Sequence, residues 1–219
     1  MNNLKNIKSA IFDVDGTLLD SMYIWTNTAE MFLKRRGITP DENLTEDFIT
    51  MSLEEGATFF KNAYNPPETV EEIMMDINKM VEDFYFKDVI TKPFVKEFLE
   101  KLKNAGIKMC IATATDKYLI EKALERNGIA HYFSEIFTCT IVGAGKTPAT
   151  IYEEALKHLG TSKDDTLIFE DAHYAIKTAK NAGFKIAAIE DICEAKKKDE
   201  IMNMSDFYIT DYKTALNLF

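Results

Sequence analysis

The chain has 219 residues, of which 46% are hydrophobic and 28% charged. This length supports a full core without covalent staples, and the composition excludes a disordered, collagen-like or fibrous chain. With 26 basic and 36 acidic residues the formal charge is −10, which argues against nucleic-acid and anionic-membrane partners, because both require a basic footprint.

The N-terminal apolar run is too short for a signal peptide, and no stretch approaches the roughly 18 apolar residues of a membrane span. Cys110, Cys139 and Cys193 lie far apart, form no CxxC pair and are odd in number. That pattern fits a reducing compartment rather than a disulfide framework or a zinc site. A cytoplasmic protein is expected.

In chain order, the first strand is predicted at Ser9–Phe12. From about Ser21 to Asp88 no strand is expected. Met22, Trp25, Ala29, Phe32 and Leu33 are spaced for one helix face, and Gly37 stops that helix. Ser52-x-x-Glu55 and Thr69-x-x-Glu72 each read as a capping box. Val70, Ile73, Met74, Ile77, Met80, Val81 and Phe84 continue the helix that Thr69 opens, and the methionines Met74, Met75 and Met80 are expected in its core. After this insert come apolar runs at Ile107–Ala112, Thr166–Phe169, Lys185–Ile189 and Phe207–Ile209. Helical patterns at Phe94–Ala105, Tyr118–Asn127, Pro148–Leu159 and His173–Ala182 separate them, each followed by glycine. Strands alternating with helices predict an α/β fold with a mostly parallel sheet. His131, His158 and His173 share no ligand spacing and are expected to be structural or on the surface. Lys196–Lys198, followed by two acids, reads as a solvated helix face.

The first strand runs into Asp13-Val14-Asp15-Gly16-Thr17-Leu18. In an open α/β sheet, ligands bind beyond the C-terminal strand ends. Gly16 permits the bend that aims two carboxylates at one crevice. Such a pair can hold a divalent cation, attack as a nucleophile or shuttle a proton. Three further signals stand at the later strand ends: Thr113 after Ile111-Ala112, Lys146 ahead of a helix, and Glu170-Asp171 after Leu167-Ile168-Phe169.

In that order these residues resemble the four motifs of the haloacid dehalogenase superfamily, in its subgroup similar to beta-phosphoglucomutase and phosphoglycolate phosphatase. The resemblance runs from about Lys8 to Leu216. It implies a Rossmann-like core over 1–19 and 89–219, with an inserted all-α cap of the C1 type over 20–88. It implies Asp13 as nucleophile, Asp15 as acid and base, and Thr113, Ala114 and Lys146 as holders of the phosphoryl oxygens. Mg²⁺ is then held by Asp13, the Asp15 carbonyl and Asp171, with Glu170 close or acting through water. The expected activity is hydrolysis of a small phosphorylated metabolite, such as a sugar phosphate, through an aspartyl-phosphate, by a monomer or homodimer.

Asp15 sets the chain apart from the carbon–halogen branch of the superfamily, which lacks an acid there. Two other readings resemble it in layout. A phosphomutase typically carries a histidine where Trp25 stands, and tryptophan relays no proton. A catalytically silent binding module would have lost one of the acids or Lys146. Phe48–Gly56, where relatives often place a substrate-binding arginine, has no Arg or Lys. The chain departs from the family pattern at Lys146-Thr147-Pro148-Ala149-Thr150, and at Ala172 and Ala175, where serine and glycine are usual.

Overall fold

A computed structural model of the protein describes residues 6–39, 51–143 and 145–218. Six parallel strands form one sheet: β1 (Ser9–Phe12), β2 (Lys108–Thr113), β3 (Ile136–Thr138), β4 (Thr166–Glu170), β5 (Lys185–Ile189) and β6 (Phe207–Ile209). Their order is β3-β2-β1-β4-β5-β6. The strand order therefore reverses at β1, and a crevice opens beyond the ends of β1, β2 and β4.

The central strands β1, β2, β4 and β5 are buried on both faces because helices cover both faces. Alternation divides the core accordingly. Ala10 and Phe12 of β1 join Met109, Ile111, Leu167 and Phe169 in one layer. Ile11 joins Cys110, Ala112 and Ile168 in the other. The rings of Phe12 and Phe169 stack with centroids 4.3 Å apart, fixing β1 against β4.

The insert contains α1 (Met22–Arg35), α2 (Leu53–Tyr64) and α3 (Val70–Asp83), followed by a single π-helical turn, Phe84–Asp88. Both capping boxes form as the sequence predicts, with Ser52 accepting from the Glu55 amide and Thr69 from the Glu72 amide. These helices close their own core around Phe32, Leu33, Phe60, Ile73 and Ile77. Met74 and Met80 pack against it, whereas Met75 is exposed. The two connectors to the sheet domain pair with each other. The Asp20 amide donates to Ile90 at 3.0 Å and the Lys92 amide to Leu18 at 2.9 Å.

The remaining helices are α4 (Val95–Asn104), α5 (Lys117–Arg126), the one-turn α6 (Cys139–Val142), α7 (Thr150–Leu159), α8 (His173–Asn181), α9 (Lys198–Met204) and the short α10 (Tyr212–Ala215). The principal helix ends fall within a residue or two of the sequence reading. β3 is an element that reading lacked, since three residues at a sheet edge carry little periodicity. Among the described residues, no helix is long and apolar enough to cross a membrane.

Candidate active site

β1 delivers Asp13 to the crevice. The Asp13 amide donates to Phe169 of β4 at 2.9 Å, so the nucleophile candidate stays registered to the sheet. The chain then turns sharply, with the Leu18 and Leu19 amides both donating to Val14 at 2.8 Å. Val14 points into the core. Asp13 and Asp15 line one cavity, open to solvent on one side, between the sheet and the helical insert. Gly16 makes the turn possible. Its φ is +75°, and a Cβ there would lie 2.7 Å from Cγ of Asp171 and 2.8 Å from Cγ of Met22.

Two of the other predicted groups, Asp13 and Glu170, meet at Lys146. Its Nζ lies 2.5 Å from Oδ1 of Asp13 and is also bonded to Oε1 of Glu170. All three side chains are buried. Oε1 of Glu170 also accepts the Tyr152 hydroxyl at 2.9 Å. Its Oε2 accepts the backbone amides of Asp171 and Ala172 at 3.0 and 3.1 Å. Both Glu170 oxygens are therefore engaged, and the carboxylate holds Lys146 toward Asp13. Asp171 differs: Oδ1 accepts the Thr17 hydroxyl at 3.1 Å, and its side chain faces the cavity. Thr113 and Ala114 also line the cavity at the end of β2.

Charge is crowded here. The Asp13 carboxyl is raised to about 7, chiefly by burial and also by Glu170 and Asp15, against the pull of Lys146. Burial, then Glu170 and Asp13, holds Asp171 well above the usual carboxylate range. Burial disfavours the Lys146 ammonium, but Asp13 and Glu170 outweigh it and keep the lysine charged. Carboxylate oxygens of Asp13, Glu170 and Asp171 lie within 4.8 Å of one another. An all-oxygen set of three acids facing a single ammonium fits a hard divalent cation, which would relieve the surplus negative charge.

Asp15 sits in a cage of hydroxyls that the sequence reading missed. Ser21 donates to Oδ1 at 2.6 Å, Thr115 to Oδ2 at 2.7 Å, and the Tyr85 hydroxyl also to Oδ1. Trp25 Nε1 in turn donates to the Tyr85 oxygen at 2.7 Å. Burial and Asp15 hold the Tyr85 phenol well above the usual tyrosine range, so it stays a donor. Ser21 and Thr115 stand close to the motifs in sequence and could have been found as nearby hydroxyls. Tyr85 lies 70 residues from Asp15 and carried no local signal. His173 does not line the cavity. Its ring bonds Glu200 at 2.9 Å, and Lys198 pairs with Glu190.

A parallel sheet with this strand order, an inserted helical layer and acids at the switch point define a hydrolase of the haloacid dehalogenase type. Residues 10–189 match the family model described as haloacid dehalogenase-like hydrolase, and the chain belongs to that family. Its named relatives are phosphatases. The phosphorylated carbohydrates phosphatase of Thermotoga maritima is 24% identical over 179 residues, covering 82% of this chain and 83% of the relative. The pyrophosphatase PpaX of Bacillus cereus is 29% identical over 191 residues, covering 84% and 83%. Among solved structures, CbbY from Rhodobacter sphaeroides in complex with phosphate superposes with a TM-score of 0.81 at 20% identity, covering 94% of this chain and 95% of that one. That likeness bears on the fold, including the helical cap.

Proposed function

We propose that the protein is a Mg²⁺-dependent phosphatase that hydrolyses a small phosphomonoester through an aspartyl-phosphate on Asp13, with residues 20–88 as its cap. The observation that carries this reading is the pairing of buried Asp13 with Lys146 at 2.5 Å, beside Asp15 on the same cavity. An Asp13 oxygen attacks phosphorus. The ester P–O bond breaks as Asp15 gives its proton to the leaving alkoxide. Asp15, now a carboxylate, takes a proton from water. That water's oxygen attacks phosphorus, and the bond to Asp13 breaks, releasing phosphate and restoring both acids.

Lys146 and the Thr113–Ala114 strand end would hold the phosphoryl oxygens, so that catalysis is largely positioning and charge neutralisation. Asp13, Asp171 and the Asp15 carbonyl would hold Mg²⁺, which supplies charge neutralisation when bound. Glu170 would fix Lys146 rather than donate directly, since both its oxygens are engaged. Trp25 supports hydrolysis over phosphoryl relay to a second sugar position, because its one polar hydrogen is given to Tyr85.

The test is phosphate release from a panel of phosphomonoesters with Mg²⁺ and with EDTA, using Asp13→Asn as the blank. Mg²⁺-dependent release that disappears in the variant is expected. Equal release by Asp13→Asn would exclude Asp13 as the nucleophile.

A further inference from the structure

We propose that the leaving group of the substrate is an apolar or aromatic alcohol carrying no second anionic group. This rests on the phosphatase reading above and narrows it. The reasoning comes from the cap side of the cavity. Met22, Trp25, Met51, Leu53 and Ile77 face it with carbon and sulfur.

The polar groups on that wall are largely committed elsewhere. Trp25 Nε1 donates to Tyr85 at 2.7 Å. The Thr28 hydroxyl donates to the Ile24 carbonyl of its own helix at 2.8 Å. The Ser52 amide donates to Glu55 at 2.7 Å, and its hydroxyl oxygen accepts the Glu55 amide at 3.2 Å. The hydroxyl proton of Ser52 is what remains. A hexose brings several hydroxyls against this wall, and among the described residues only the Ser52 proton is left there to meet them as they lose water. A hydrocarbon or aromatic body loses nothing of that kind. It gains burial against the indole face and contacts with the two methionine sulfurs.

Charge points the same way. Among the described residues no lysine or arginine lines the cap side. Lys146, the cation in the cavity, is already shared by Asp13 and Glu170. A second phosphate or a carboxylate on the leaving group would be desolvated without a counter-charge.

The experiment compares four esters that all release a primary alkoxide, so that leaving-group chemistry is held constant: n-hexyl phosphate, benzyl phosphate, glucose 6-phosphate and a hexose bisphosphate. kcat/KM is measured with Mg²⁺, and binding of the same esters to Asp13→Asn is measured by calorimetry. Hexyl and benzyl phosphate should exceed glucose 6-phosphate by about tenfold or more in kcat/KM, with the bisphosphate poorest and the same order in binding. Leu53→Gln, a cap-wall change remote from the acids, should narrow the ratio. Glucose 6-phosphate or the bisphosphate equal to or better than hexyl phosphate in either measurement overturns the assignment. Tighter binding of hexyl phosphate with no turnover of any ester would overturn the phosphatase reading and leave the apolar pocket standing.

Discussion

At the scale of single residues, the site is governed by how Asp13 and Asp15 are held. Asp13 is an acid whose folded pKa, about 7, lies above its ordinary value of 3.8. A raised carboxyl binds its proton more tightly in the folded chain. Its contribution to stability is fully present below pH 3.8 and is lost as pH rises through about 7. Without metal, removing the charge should therefore help at high pH and matter little at low pH. In EDTA, Asp13→Asn should raise the melting temperature at pH 8 clearly more than at pH 5, while abolishing turnover. Equal shifts at both pH values would show that buried charge at Asp13 does not govern this stability. Asp15 is caged by three hydroxyls, of which Ser21 and Tyr85 come from the insert and Thr115 from the sheet domain. A hydrogen bond to a charged group contributes about 1.5–3 kcal/mol, so Tyr85→Phe should lower kcat by roughly ten- to a hundredfold. KM should change little, and the pH profile of kcat should shift. A rise in KM at constant kcat would mean that Tyr85 acts on substrate rather than on Asp15.

At the scale of elements, the turn after β1 is the most constrained piece of chain. Gly16 combines a φ of +75° with close approach to Asp171 and Met22. In Gly16→Ala the new methyl group would be driven into the Asp171 carboxylate on top of the backbone strain, so we expect a loss of at least about 1 kcal/mol of stability together with loss of activity. Chemical denaturation and phosphate release measure the two, and an unchanged midpoint would show that the turn relaxes. This turn was legible in the sequence because strand, acids and glycine are contiguous. So were β1, β2, β4 and β5, whose apolar runs are buried on both faces, the short run of β6, and the capping boxes, whose logic is local. The edge strand β3 was not, being three residues long. The π-helical turn was not either, and with it Tyr85. The apolar period ran only as far as Phe84, and which side chain beyond it meets Asp15 is decided by tertiary packing.

At the scale of the whole molecule, we expect the insert to swing relative to the sheet domain as substrate enters and leaves, with two sets of contacts between them acting as hinge and catch. The hinge is the paired connector, with Leu19 bridged to Thr91. The catch includes Asn78 of α3, whose Nδ2 donates to Asp116 at the start of α5 at 2.5 Å. Asp116 is held from its other oxygen by the Thr140 hydroxyl at 2.7 Å, so it is a fixed acceptor and closure needs only Asn78 to arrive. Among the described residues, Oδ1 of Asn78 is buried without a hydrogen-bond partner. Removing the amide therefore loses one bond but also relieves one unsatisfied atom, and its net effect on global stability should be small. Its effect on closure should not be small, because the bond exists only when the two layers meet. Asn78→Ala is expected to leave the melting temperature within about 2 °C while lowering kcat/KM about fivefold through a higher KM, since a bond of about 1 kcal/mol then no longer favours the closed state. Hydrogen exchange should quicken at the connector amides of Asp20 and Lys92, which break when the layers part. Faster exchange there with unchanged KM would mean that opening does not gate substrate. Unchanged exchange with unchanged KM would mean that Asn78 is no catch at all, and that closure is held by the apolar contacts of the cavity wall alone.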